Sequence, residues 1–382
     1  MRRRHEALAQ VMTERGTGAC LVYGAERAGS GIAWLTGWPV TREAALLLVP
    51  GERHVMFVCF NNHVPNARRM APFADVRPGC GSALTAALEL LAARSSRPSR
   101  LGVIGPVPAR SWGALGNAAA EIEFLDRDYT RLRLVKSEEE ISWLRTGARM
   151  TDDAVAALRE AARPGVTEAE CCAAIEAAYL PAGGLNHIHY LCATPMSHPQ
   201  TCVPSQWPTN YRLAAGDVLT CEVSASYGGY PGQLLRTFAV DGEPPPLYED
   251  LHATAEAAFT AMAARLRPGA TAADLLDAAS VITRSGYTVF DDLVHGFGGG
   301  YLPPVISRSA VESGDVEDFT FAAGMTAVLQ PNVITPDERA GVQTGELMLI
   351  TRQGCESLHS FPRGFGRTGM IKDLPSAPRG IA

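Results

Sequence analysis

The chain has no long apolar run, no CxxC cysteine pair and little charge of either sign. No stretch approaches the roughly 20 uninterrupted apolar residues of a membrane-spanning helix, and Arg2, Arg3 and Arg4 are followed by mixed residues rather than an apolar leader core. A protein in the cytoplasm, not in a membrane, is the expectation. The nine cysteines stand at 20, 59, 80, 171, 172, 192, 202, 221 and 355, a scatter that excludes a regular zinc or disulfide framework and reads as buried thiols. Cys221 is expected to be a packed strand thiol. Charged residues make up 19% and the net charge is −6, so the basic surface needed for nucleic acid is missing. Low-complexity sequence is absent apart from the last dozen residues, which are rich in Gly and Pro. What is present is ordinary globular material, 46% hydrophobic over 382 residues. That length exceeds one comfortable core, so two domains are expected.

Periodicity divides the chain at about residue 130. Residues 1–130 alternate helical and strand-like patterns: an N-terminal helix, strands near 19–23, 44–49, 54–60 and 101–104, and helices near 82–94 and 112–120. This is a small α/β domain. Ser137, followed three residues later by Glu140, has the spacing of a capping box and opens a second domain, residues 131–382. Two amphipathic helices follow, to about residue 162 and over 167–179, then strands to about 241. Helices at 247–266 and 272–285 lead into a second strand-rich stretch. The order of helix pair, sheet, helix pair, sheet suggests an internal pseudo-repeat.

Several motifs in this order resemble the creatinase, prolidase and aminopeptidase P family. Ala33-Trp34-Leu35-Thr36-Gly37 is similar to its Tyr-Leu-Thr-Gly, and Val135-Lys136-Ser137-Glu138-Glu139-Glu140-Ile141 to its Lys-Ser-x-x-Glu-Ile. Gly216-Asp217, Arg236-Thr237-Phe238, His295-Gly296-Phe297-Gly298 and Gln330-Pro331 extend the likeness across both regions. The resemblance implies an α/β (α+β) chain: an N-terminal creatinase-like α/β domain, then a C-terminal catalytic domain of the pita-bread fold. It also implies a homodimer, with one subunit's N-terminal domain near the partner's site.

Metal-dependent relatives hold two divalent ions with two Asp, one His and two Glu, because hard cations need several anionic oxygens. Carried over position by position, the resemblance gives Glu222 for the first Asp, Gln233 for the second, His295 for the His, Gln330 for the Glu before Pro331 and Gly345 for the last Glu. Glu346 is one residue out of register, and a strand alternates faces with period two, so it is expected to point away. On ligand count the site is expected to hold no metal and no cofactor. The family's second His, seven residues after the first, is replaced by Leu302, and its other His position falls on Ser205, or on His198 if an insertion intervenes.

The candidate catalytic residues are therefore His295, His198 and Glu222. His295 precedes a Gly-rich turn and suits proton transfer or substrate hydrogen bonding, against the plainer reading of a packed turn histidine. Glu222 on a core strand is costly to bury without a partner. Arg236 is a candidate partner, and would make the pair structural; alternatively Glu222 anchors a cationic substrate group. Gln233 and Gln330 offer amides for a planar polar group. Tyr230, Tyr301 and Arg236 complete the expected substrate contacts in the second domain, and His63, at the end of a strand in the first, is the further candidate. The leading expectation is a metal-independent, creatinase-like hydrolase cleaving a C–N bond of a small polar substrate through a His shuttle. A metal-dependent Xaa-Pro-type peptidase is the alternative, and a non-hydrolytic enzyme or a pseudoenzyme binding module is a third.

Overall fold

In the computed structural model, residues 1–26 and 30–368 are described, and the Gly- and Pro-rich tail lies outside that range. The chain divides into two compact units, Met1–Arg133 and Leu134–Ala382.

The first unit is built on a mixed sheet of six strands among the described residues. The strands are β1 (Ala19–Ala25), β2 (Glu43–Leu48), β3 (Val55–Val58), β4 (Asp75–Pro78), β5 (Arg100–Ile104) and β6 (Glu121–Phe124), in the order β4-β3-β2-β1-β5-β6. Strand alternation gives it two cores. Cys20 and Val22 pack on one face with Leu8, Val11 and Met12 of the helix Arg2–Arg15, whereas Leu21 and Tyr23 pack on the other with Leu84, Leu88 and Leu91. Both faces are therefore covered, as a period-two apolar run requires. The helix Ala83–Ala92 starts where Ser82 accepts from the backbone of Thr85. Strands β4 and β6 and the helices Val64–Met70 and Asp126–Leu134 complete the unit without having been legible in the sequence pattern.

The second unit opens with the capping box. Ser137 accepts from the Glu140 backbone while the Glu140 carboxylate accepts from the Ser137 backbone, which fixes the start of the helix Glu138–Ala161. Its sheet contains β7 (Leu185–Pro195), β8 (Asp217–Tyr227), β9 (Tyr230–Pro231), β10 (Leu234–Val240), β12 (Val294–Phe297), β13 (Tyr301–Ile306), β14 (Thr326–Leu329), β16 (Gly345–Ile350), β17 (Cys355–Ser357) and β18 (Gly366–Arg367). The main path runs β13-β12-β14-β16-β10-β8-β7, and β11 (Thr288–Val289) pairs separately with β15 (Val333–Ile334). The helix pair Glu138–Ala161 and Glu168–Tyr179 precedes β7 to β10, and the helices Pro246–Arg265 and Ala272–Ala278 precede β12 to β16. Gly228 and Gly229, both with positive φ, form the turn between Tyr227 and Tyr230. The helix passes close to this hairpin: a Cβ on Gly147 would stand 2.5 Å from the Tyr230 carbonyl oxygen.

Register decides which side chains meet. Leu219, Cys221, Val223 and Ala225 of β8 enter the core with Met150, Leu158, Cys171 and Ile175 of the covering helices. Glu222 therefore lies on the opposite face. Leu235 pairs with both Glu222 and Gly345, so these three share Glu222's face; Leu234 pairs with Val223 and Glu346, so those share the helix face. Cys221 is a fully buried thiol whose pKa is pushed up to about 12 by burial, consistent with packing rather than reactivity.

Candidate functional site

On the face that carries Glu222, the sheet gathers Glu222 from β8, Gln233 before β10, His295 from β12, Tyr301 from β13 and Gln330 at the end of β14. The Gln233 amide nitrogen donates to Glu222 Oε1 at 2.6 Å and to Gln330 Oε1 at 3.2 Å. The Gln330 amide nitrogen donates onward to the Asp292 carbonyl at 2.9 Å. Tyr301 stacks on His295 with ring centroids 4.0 Å apart and 17° between planes, and its hydroxyl donates to Asp292. One polar cluster thus joins five of the residues singled out from sequence. His295, Gln233 and Gln330 are buried, whereas Tyr301, stacked on the imidazole, is 52% exposed.

Burial sets the charge states. Glu222 has its pKa raised to about 8, first by desolvation and then by the negative charge of Asp291, with Gln233 opposing the shift. His295 is lowered to about 4 by burial, so its imidazole is neutral near pH 7. Its Nδ1 lies 3.2 Å from the Gly296 carbonyl, and a carbonyl only accepts, so Nδ1 carries the proton and Nε2 is the acceptor. Gln330 stands beside the ring and weakly favours protonation, without closing a hydrogen bond to the buried Nε2.

Asp291 and Asp292 were missed in the sequence. Both act electrostatically on Glu222, and Asp292 ties Tyr301 and Gln330 together. An acidic pair three and four residues before His295 was the available signal.

Four residues of the second unit considered for the site lie outside this cluster. Arg236 points to the helix face, where it is buried and paired with Glu346 at 2.5 Å, and it also donates to the carbonyls of Leu235, Gly345, Phe361 and Pro362. The considered Glu222–Arg236 pair is not formed, because residues paired across the strands at 235 and 222 leave 236 on the other side. Tyr230 is buried against the helix, donating to Glu140 at 2.6 Å and lying beside Trp143. His198 is an exposed turn residue whose backbone bonds to Pro195 and Gln200. Ser205 bridges to Leu191 and donates to the Trp207 carbonyl. His63, in the first unit, lies beside Phe60 and Trp38 and 3.4 Å from the Thr41 hydroxyl.

Residues 142–352 match metallopeptidase family M24. The chain belongs to that family. Among curated relatives, a probable dipeptidase PepE of Mycobacterium tuberculosis is 28% identical over 272 residues, 69% of this chain and 69% of that protein. An Xaa-Pro dipeptidase of Pyrococcus furiosus is 25% identical over 239 residues, 62% of this chain and 66% of that protein. The fold is shared with the prolidase of Pyrococcus horikoshii OT3, at a TM-score of 0.80 and 20% identity, covering 94% of this chain and 99% of that one. It is the pita-bread fold of the prolidases and aminopeptidase P, as the motifs implied.

These comparisons correct the leading functional expectation. The matched region spans the main path of the sheet that carries the site, β7 to β16, and the relatives are named as dipeptidases. They favour the peptidase alternative over a metal-independent, creatinase-like hydrolase. Five ligand positions prompted that expectation, whereas the family likeness extends over residues 142–352.

The donor set nevertheless departs from what a pair of divalent ions requires. Glu222 and His295 supply one carboxylate and one imidazole, and the remaining two donors are amides already bonded within the cluster. Gly345 leaves no room for a fifth: a Cβ there would meet the Leu329 carbonyl oxygen at 2.8 Å and Leu235 Cδ1 at 2.9 Å. Glu346 faces away and is spent on Arg236. Among the described residues, no group of three or more His, Cys, Asp or Glu is placed to hold an ion. The residues present do not fit the family's metal pair.

Proposed function

We propose that this chain is a dipeptidase-type hydrolase that cleaves the C–N bond of a short peptide at the Glu222–Gln233–Gln330–His295 cluster. The observation carrying this reading is the coincidence of that cluster with the strands over which family M24 matches. In this reading the two amides orient the substrate's polar backbone, Glu222 and His295 present acceptors, and Tyr301 covers the imidazole and keeps water from it. Leu302, buried where the family has its second His, favours substrates other than Xaa-Pro. A homodimer in the cytoplasm is part of the same proposal; among the described residues no helix is long and apolar enough to cross a membrane. Light scattering on the purified protein tests the dimer.

The test of activity is amino-acid release from a dipeptide panel that includes Xaa-Pro, with and without added Mn, Co or Zn, alongside elemental analysis. Turnover by the purified chain, abolished in His295→Ala, supports a peptidase. The neutral amides at former carboxylate positions favour a second reading, a binding module on the same scaffold. No turnover under any metal condition would select it.

A further inference from the structure

Accounting for each polar atom in the cluster reveals an imbalance between donors and acceptors. The Gln330 amide is satisfied, its nitrogen by the Asp292 carbonyl and its oxygen by Gln233. The Gln233 nitrogen places its two hydrogens on Glu222 and Gln330, which leaves Gln233 Oε1 buried with no donor. His295 Nε2 is likewise a buried acceptor with no donor. Glu222 adds a carboxyl that holds its proton up to about pH 8; the charges acting on it, Asp291 and Asp292, are both negative, and a cation seated beside it favours the ionised, accepting form. Ser224, two residues along the same face, has a buried unpartnered hydroxyl that can serve either way.

Buried acceptors without donors cost free energy that a ligand rich in N–H groups recovers. An anionic ligand would meet only repulsion here. A divalent cation would find one carboxylate and amide oxygens, too little charge for a hard ion. We infer that this cluster receives a cationic N–H group of its ligand, an ammonium or guanidinium, whose hydrogens go to Gln233 Oε1, His295 Nε2 and the Glu222 carboxylate. The aromatic rings of Tyr301, stacked on the imidazole at 4.0 Å, and Phe297, edge-on to it at 5.4 Å, supply polarisable walls suited to such a group. Tyr301, the exposed member, is the side chain that moves to admit it.

This deepens the hydrolase reading and rests on it only in calling the ligand a substrate: the short peptide would carry its positive group into this cluster. The experiment is calorimetric titration of the full chain with n-butylammonium, methylguanidinium, the neutral isostere 1-butanol, and Mn alone. Millimolar binding of a cationic probe, with the neutral isostere at least tenfold weaker, is expected. Glu222→Gln should weaken the cationic probe about tenfold and the exposed Asp291→Asn about threefold, with unchanged circular dichroism. Asp291→Asn keeps the test open if the buried variant misfolds. The tighter of the two cations identifies which group the ligand carries. Equal binding of charged and neutral probes, indifference to both substitutions, or stoichiometric Mn binding that displaces the amine would overturn the inference. Because this readout is binding, it separates from turnover: peptides hydrolysed without competition from either cation would sink the inference alone, and cation binding without hydrolysis would sink the peptidase reading alone.

Discussion

Glu222 and Glu346 are carboxylates buried to nearly the same extent, 6% and 5% exposed, on opposite faces of one sheet. Glu346 faces the helices and meets Arg236 at 2.5 Å in a guanidinium site closed by four backbone carbonyls. Glu222 faces the other way and meets an amide, with its nearest charges negative. Equal burial therefore yields a structural ion pair in one case and a poised acidic group in the other. The partner, not the burial, separates the two.

The largest expected effect breaks the structural half of this comparison. Glu346→Ala leaves a buried guanidinium without its counter-charge and should cost about 3–5 kcal/mol in denaturant unfolding. Replacing both partners by apolar residues, Arg236→Met with Glu346→Leu, should recover most of that loss. Failure of the double substitution to recover would mean that Arg236 matters through its carbonyl contacts more than through the charge pair.

The functional half should respond with opposite sign. The folded Glu222 holds its proton up to about pH 8, whereas an unfolded glutamate releases it near pH 4.3. Across that window the folded state binds more protons, so stability falls as pH rises. Glu222→Gln removes this dependence: unfolding free energies of variant and wild type should nearly coincide near pH 5, with the variant ahead by roughly 3 kcal/mol near pH 8. A variant less stable than wild type at both pH values would show that the carboxyl is held by contacts the amide cannot reproduce.

His252 sharpens the picture on the helix side. Burial, with Arg236 adding to it, lowers its pKa to about 4. The unfolded ring takes up a proton near pH 6.5 while the folded ring resists, so its contribution is present above 6.5 and is lost as pH falls towards 4. His252→Gln should flatten that acid limb by about 1–2 kcal/mol, read from urea unfolding at pH 7 and pH 4.5. The smallest effect belongs to Tyr301→Phe, which deletes the hydroxyl donated to the half-buried Asp292 and should change stability by less than about 1 kcal/mol. The stacked ring is retained, so cationic-probe binding should persist.

Much of the scaffold was legible because its signals are local. Ser137 and Glu140 announced a helix start, the segment holding β8 was expected to be strand, and the period-two rule placed Glu346 away from the site before its partner was known. The bringing together of Glu222, Gln233, Gln330 and His295 followed from motif positions on strands that lie far apart in the chain. Arg236, Tyr230 and His198 were misplaced because being near a motif in sequence does not specify which face or turn a side chain occupies.

The sequence by itself determined the family, the helix and strand order of the second unit, and the replacement of carboxylates by amides, since each is written in residue type and spacing. Only the tertiary structure decided that Arg236 belongs to Glu346, that Gly345 is closed to any side chain, and that Asp291 and Asp292 act on Glu222. Those outcomes depend on cross-strand register and on the proximity of residues scores of positions apart, and electrostatic and steric contacts act through distance in space rather than along the chain.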